Sequence, residues 1–151
     1  MIFPGDFFDL RGYGHQALFQ LDAPVWTALD RLPSYLASFF TGAWPLAGHA
    51  GMVEKPLVIV NGTVRQDLAI RPSGPENAVQ AFDGDSLLED AAIIMPGAYL
   101  FDDRIIIGAR SVVEPGALIK GPTVIGADTE VRQGAYLRGD CLIGNQFVVG
   151  H

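Results

Sequence analysis

From residue 93 onward, every sixth position carries a large apolar side chain: Met95, Phe101, Ile107, Val113, Ile119, Ile125, Val131, Leu137, Ile143 and Val149. In a chain that is 49% hydrophobic, such a run in any of the six registers arises by chance less than about 1% of the time. Four residues after most of these positions a small side chain recurs: Ser111, Ala117, Thr123, Thr129, Ala135 and Cys141. Tyr99, Ile105 and Phe147 are larger residues at the same step. A strand alternates faces with period two, so the small residue and the large one two places later point the same way. Each hexad is therefore a short strand and a turn, and three hexads close a triangular coil.

Stacked coils place the large residues in ladders inside a prism, with Met95, Val113, Val131 and Val149 expected to form one. A buried aliphatic residue contributes roughly 1.5–3 kcal/mol, and only when neighbouring coils are present. The pattern predicts a mainly β protein built around a parallel β-helix. Glycines fit the corners, where backbone angles penalise a Cβ. Gly108, Gly126, Gly144 and Gly150 directly follow ladder positions, and Gly116, Gly121, Gly134 and Gly139 fall later in the turns. Cys141 takes a small inward position and reads as a packed structural thiol.

The outward position before each ladder residue is also apolar: Ile94, Leu100, Ile106, Val112, Leu118, Val124, Tyr136, Leu142 and Val148, with Glu130 the exception. Strand propensity accounts for some of this. Burial of these faces under an N-terminal helix and other subunits accounts for all of it, and predicts a homo-oligomer.

The rest of the chain divides into an N-terminal helical extension, 1–50, and a connecting segment of extended chain and turns, 51–92. The repeat region then occupies 93–151. Asp6 could cap a short turn bearing Phe7, Phe8 and Leu10. Asp22 is the candidate N-cap of the main helix, with Pro24 early in it. Val25, Leu29, Leu32, Leu36 and Phe39 then form one apolar stripe. Pro33 predicts a kink, or two helices end to end, with a stop near Thr41-Gly42. In the connecting segment, Pro56 to Val60 is strand-like, Asn61-Gly62 signals a tight turn, and Thr63-Val64 resumes the strand. Arg71-Pro-Ser-Gly-Pro75 reads as a loop, as does Asp83-Gly84-Asp85, whose spacing does not complete a calcium loop.

A net charge of −7, with 17 acidic and 10 basic side chains and no basic cluster, sets nucleic acid aside as a partner. One cysteine cannot form an internal disulfide, so a reducing, cytoplasmic compartment is expected. No apolar run reaches the roughly 18 residues that span a bilayer, and no signal peptide is visible, so no membrane role is expected.

The run from Val113 to Asn145, and within it Gly134-Ala-Tyr-Leu-Arg-Gly139, resembles the left-handed β-helix of hexapeptide proteins related to UDP-N-acetylglucosamine pyrophosphorylase. Their kin is the bifunctional N-acetylglucosamine-1-phosphate uridylyltransferase/glucosamine-1-phosphate acetyltransferase. The resemblance covers about residues 93–151 and supplies the handedness, since ordinary parallel crossovers are right-handed. It implies a trimer with sites for acetyl-CoA or another acyl-CoA and for a sugar phosphate or sugar nucleotide between subunits.

Residues 1–92 lack the Gly-rich phosphate loop of the uridylyltransferases, and Gly12-Tyr-Gly14 does not supply one, which excludes pyrophosphorylase chemistry for this chain. In the acetyltransferases an Arg of the Leu-Arg turn and a Lys one coil later grip the sugar phosphate, and a His beyond acts as general base. Arg138 matches the first, as a substrate-binding residue, unless it is a solvated residue paired with Asp140 or Asp128. The Lys and His would fall after residue 151. His151 belongs by register to an earlier turn than the base, so no catalytic residue is assigned, and His15 and His49 read as surface or packing residues. The ending in mid-hexad suggests a fragment of a longer protein.

The function implied is transfer of an acyl group to a sugar phosphate in the complete protein. The alternative is a non-catalytic trimerisation or sugar-nucleotide-binding module. A carbonic-anhydrase-like role needs three histidines around zinc, and no metal site is expected.

Overall fold

The computed structural model describes residues 1–74 and 78–150. It separates into two compact units, Met1–Thr41 and Gly42–His151. The first holds a single α-helix, α1 (Thr27–Ala37), which runs through Pro33 and passes directly into a 3-10 turn, Ser38–Phe40. It starts later than Asp22 implied. Trp26 occupies the N-cap without a side-chain bond, while the Pro24 carbonyl accepts from the Thr27 hydroxyl at 2.7 Å. Val25 therefore precedes the helix, and the buried stripe rotates onto Ala28 and Leu36, leaving Leu29 70% exposed. Asp6 ends a short 3-10 turn, Pro4–Asp6, and its carboxylate accepts the Phe3 N–H at 2.8 Å.

The second unit opens with β1 (Gly51–Met52), β2 (Leu57–Val60) and β3 (Thr63–Arg65). Asn61 and Gly62, at φ 50° and 75°, join β2 to β3 in the tight turn that the Asn-Gly pair favours. A meander follows: β4 (Ala69–Ser73), β5 (Ala78–Asp83) and β6 (Ser86–Leu87). Arg71, Pro72 and Ser73 thus lie in a strand rather than a loop, while Pro75 lies outside the described residues. Pro72 is tolerated because β4 is an edge strand, where a missing N–H breaks no ladder. Gly84, at φ 61°, turns β5 into β6.

The coils begin at β7 (Ala92–Ile94), β8 (Tyr99–Leu100) and β9 (Ile105–Ile107). The second coil is β10 (Val112–Val113), β11 (Leu118–Lys120) and β12 (Thr123–Ile125). The third is β13 (Glu130–Val131), β14 (Tyr136–Arg138) and β15 (Cys141–Ile143), and β16 (Val148–Val149) starts another. Strands stack in parallel on three faces: β7-β10-β13-β16, β8-β11-β14 and β9-β12-β15. The protein is a mainly β, parallel stacked-coil solenoid. Val113, Ile119, Ile125 and Val131 are buried inside it, with Ala117, Thr123, Thr129 and Ala135 beside them.

The first coil departs from the expected register. Val113 pairs with Ile94 and Ile119 with Leu100, whereas Ile125 pairs with Ile107. The coil therefore carries one extra residue between Leu100 and Ile105. Ile94 and Leu100 point inward and are fully buried, while Met95 packs outside and Phe101 is 48% exposed. The extra residue lets the corner hold other segments. The Asp103 carbonyl accepts the Trp44 indole N–H at 2.7 Å, and its carboxylate accepts the Gly48 N–H at 2.7 Å. Asp102 accepts the Gly121 N–H at 3.1 Å.

One end of the prism is closed by the preceding segment. β1 runs antiparallel to β8 and β2 antiparallel to β7, which pairs two otherwise open strand edges. Leu46, Val53, Leu57 and Ile59 join the ladder residues in one apolar cluster. A second, smaller cluster forms on the outer face, where Leu68 and Ala81 pack with Val58, Ala91 and Ile93. Ile93, an outward residue of the first coil, is thus covered by the chain's own meander.

The corner glycines act in two ways. Gly116, Gly134 and Gly139 have φ of 81°, 81° and 91°, the conformation expected of turn glycines. Gly108 and Gly126 do not; a Cβ on either would lie 2.5 Å from backbone atoms of the next coil. Their requirement is close approach between coils, not a special dihedral angle.

Candidate functional site

Strands β8, β11 and β14 set the site by simple alternation. Leu100, Ile119 and Leu137 point into the prism, so the residues on either side of each point out. Two outward columns result, Tyr99, Leu118 and Tyr136, and Phe101, Lys120 and Arg138, in successive coils. The rings gather: Tyr99 and Phe101 lie 5.0 Å apart between centroids, and Phe101 reaches Tyr136 at 5.9 Å across the intervening coil. Phe101 and Tyr136 are 48% and 52% exposed, and Met52, paired with Tyr99 on the neighbouring strand, is 58% exposed. This is an open aromatic surface rather than a core.

Arg138 stands at its edge, exposed, in register with Lys120 one coil earlier. Adjacent parallel strands are about 4.8 Å apart, so the two basic side chains leave the sheet from neighbouring positions. Among the described residues neither forms an ion pair. Every other arginine of this unit does: Arg65 with Asp67 and Asp83, Arg71 with Asp85, Arg104 with Asp102, Arg110 with Asp90 and Asp128, and Arg132 with Glu130. Asp128 is therefore not the partner of Arg138; the Arg110 guanidinium holds it at 2.7 Å and keeps its carboxyl below the usual carboxylate range. Nor does Asp140 approach Arg138 as an ion pair. Lys120 was missed in the sequence although its signal was there, since it stands one coil before Arg138 in the same column.

The Cys141 thiol sits half-buried at its inward position and donates to the Gly139 carbonyl at 3.2 Å, as a structural thiol does. His151 lies outside the described residues. His15 belongs to the first unit, where its Nδ1 is 2.9 Å from the Tyr35 hydroxyl amid Tyr13, Tyr35 and Phe39, and burial lowers its pKa. Among the described residues no group of three or more His, Cys, Asp or Glu could hold a metal ion, and no helix is long and apolar enough to cross a membrane.

Compared with known proteins, the chain matches no family model, no curated protein and no solved structure.

Proposed function

We propose that the β8-β11-β14 face binds a phosphorylated sugar or sugar nucleotide, and that the complete protein transfers an acyl group from acyl-CoA to such an acceptor. The observation that carries this reading is the Lys120–Arg138 pair, two basic side chains in register on adjacent strands that form no ion pair among the described residues, in a chain of net charge −7. Like charges so placed repel, and a phosphate between them relieves the repulsion through charge-assisted hydrogen bonds. The neighbouring rings offer flat apolar surface to a sugar ring or a base. A left-handed winding and a trimer, with the ligand held between subunits, belong to the same proposal.

The reading is tested by calorimetric titration of the protein with glucosamine 1-phosphate, UDP-N-acetylglucosamine and acetyl-CoA. Saturable binding of a phosphorylated sugar that Arg138→Ala and Lys120→Ala each weaken supports it. Binding that neither substitution changes removes the site.

The second reading, a non-catalytic assembly or sugar-nucleotide-binding module, is favoured by the absence of a histidine from the described residues of the coils. It expects ligand binding and self-association without turnover, with Tyr136→Asp dispersing the assembly in light scattering.

A further inference from the structure

A separate cavity lies on another face of the same unit. The meander β4-β5-β6 packs on the outer side of β7 through Ala81, Ala91 and Ile93, but the coils continue beyond the ground it covers. Between its overhang and the outer faces of β10 and β13 is a groove of about 760 Å³. That volume falls within the range of small-molecule sites, roughly 300–1,000 Å³. Its floor is Ile93, Met95 and Val112, and Val79, Leu87 and Leu88 form the wall.

The charges around this apolar floor are unequal. Four carboxylates line the groove, from Glu89, Glu114, Asp128 and Glu130, against the guanidiniums of Arg110 and Arg132. Both guanidiniums are already committed. Arg110 bridges Asp128 at 2.7 Å and Asp90 at 2.6 Å, and Arg132 holds Glu130 at 3.0 Å. Glu114 is half-buried, directly beside Met95 in the column that leads to Arg132, and among the described residues it accepts only the Gln133 N–H, at 2.8 Å. It and Glu89 have no cationic partner among the described residues. Glu130 is also the one charged residue in an outward series otherwise apolar, and it stands at this groove.

We infer that the groove binds a small amphipathic cation, an ammonium or guanidinium on an apolar body. The body occupies the floor beneath the meander, and the charge meets Glu114, which a neutral or anionic guest would leave desolvated and unpaired. The site is independent of the phosphate site proposed for the β8-β11-β14 face and has the opposite charge preference.

The test is an amide-resolved NMR titration of the full chain with tryptamine, indole and indole-3-propionate, which share a ring and differ in charge. Tryptamine is expected to give saturable shifts at Ile93, Val112 and Glu114, and to bind more tightly than either analogue. Glu114→Gln keeps the side-chain shape and an oxygen for the Gln133 N–H. It should weaken tryptamine about two- to five-fold, as loss of one partly exposed charge pair does, without weakening indole-3-propionate. Val112→Lys, an outward change that leaves the ladders intact, should abolish binding. Equal affinity for indole-3-propionate, no saturable shift at millimolar tryptamine, or shifts confined to the β8-β11-β14 face each overturn the inference.

Discussion

Gly126 and Gly144 occupy the same place in successive coils, yet replacing each with alanine should have opposite effects. In Gly126→Ala the new Cβ would lie 2.5 Å from the Gly144 carbonyl carbon and oxygen, and in contact with the Asn145 side-chain oxygen. Non-bonded carbons prefer about 3.5–4.0 Å, so the next coil must retreat by roughly 1 Å. That retreat strains the bonds that lock the corner, from Gly126 N–H to the Ile143 carbonyl at 2.9 Å and from Ala127 N–H to Asn145 Oδ1 at 2.8 Å. Overpacking costs about 1–3 kcal/mol, and each weakened bond about 1 kcal/mol more, which suggests a loss of about 2–4 kcal/mol. At Gly144 a Cβ meets nothing nearer than Phe147 at 4.0 Å, and its φ is not left-handed. Gly144→Ala should be neutral, or stabilising by about 0.4–1 kcal/mol through the unfolded chain. Urea unfolding measures both. With a slope of about 2 kcal/mol/M, the Gly126→Ala midpoint should fall by about 1–2 M while that of Gly144→Ala holds or rises. Equal midpoints, or a more damaging change at Gly144, would refute close stacking of coils as the reason for these glycines.

Three further outcomes follow from the same coordinates. Leu100→Ala should destabilise by about 2–5 kcal/mol in thermal or urea unfolding, whereas Phe101→Ser, at a half-exposed outward site, should cost under about 1 kcal/mol; the reverse order would restore the unbroken six-residue register. Ser111→Ala removes the acceptor of the buried Thr129 N–H, bonded at 2.9 Å, and a donor to the Gly126 carbonyl at 2.8 Å, so a loss of about 1–3 kcal/mol is expected in the same assay. Burial lowers the His15 pKa in the folded state, so the unfolded chain binds the proton more readily. Stability should therefore decline as pH falls from about 6.5 through the lowered folded value, and His15→Phe should flatten that part of the pH profile of unfolding.

The winding of the chain was legible before any coordinates because a hexad repeat satisfies every local demand at once. Alternation, small corner partners and turn glycines all point to one coil geometry. The Asn61-Gly62 hairpin and the Asp83-Gly84-Asp85 turn were readable for the same reason, since each depends on residues adjacent in sequence. The register of the first coil was not. Ile94-Met95 and Leu100-Phe101 are both apolar pairs, so either member could serve the ladder. Ala92 and Ala98, the small residues two places before Ile94 and Leu100, carried the only local hint.

What chose between the registers was tertiary: the corner at Asp102–Arg104 widens to bind Trp44, Gly48 and Gly121, groups distant in sequence. The site shows the same division. Arg138 stands out in its motif, but Lys120 becomes its neighbour only when coils stack. Whether either is neutralised depends on where the carboxylates fall, and Asp128, near Arg138 in sequence, is taken by Arg110 from the coil before. Periodicity in a solenoid specifies what points inward, because burial is enforced at every turn. Outward side chains take their partners from whatever the other coils and the meander bring alongside, and only the folded chain determines that.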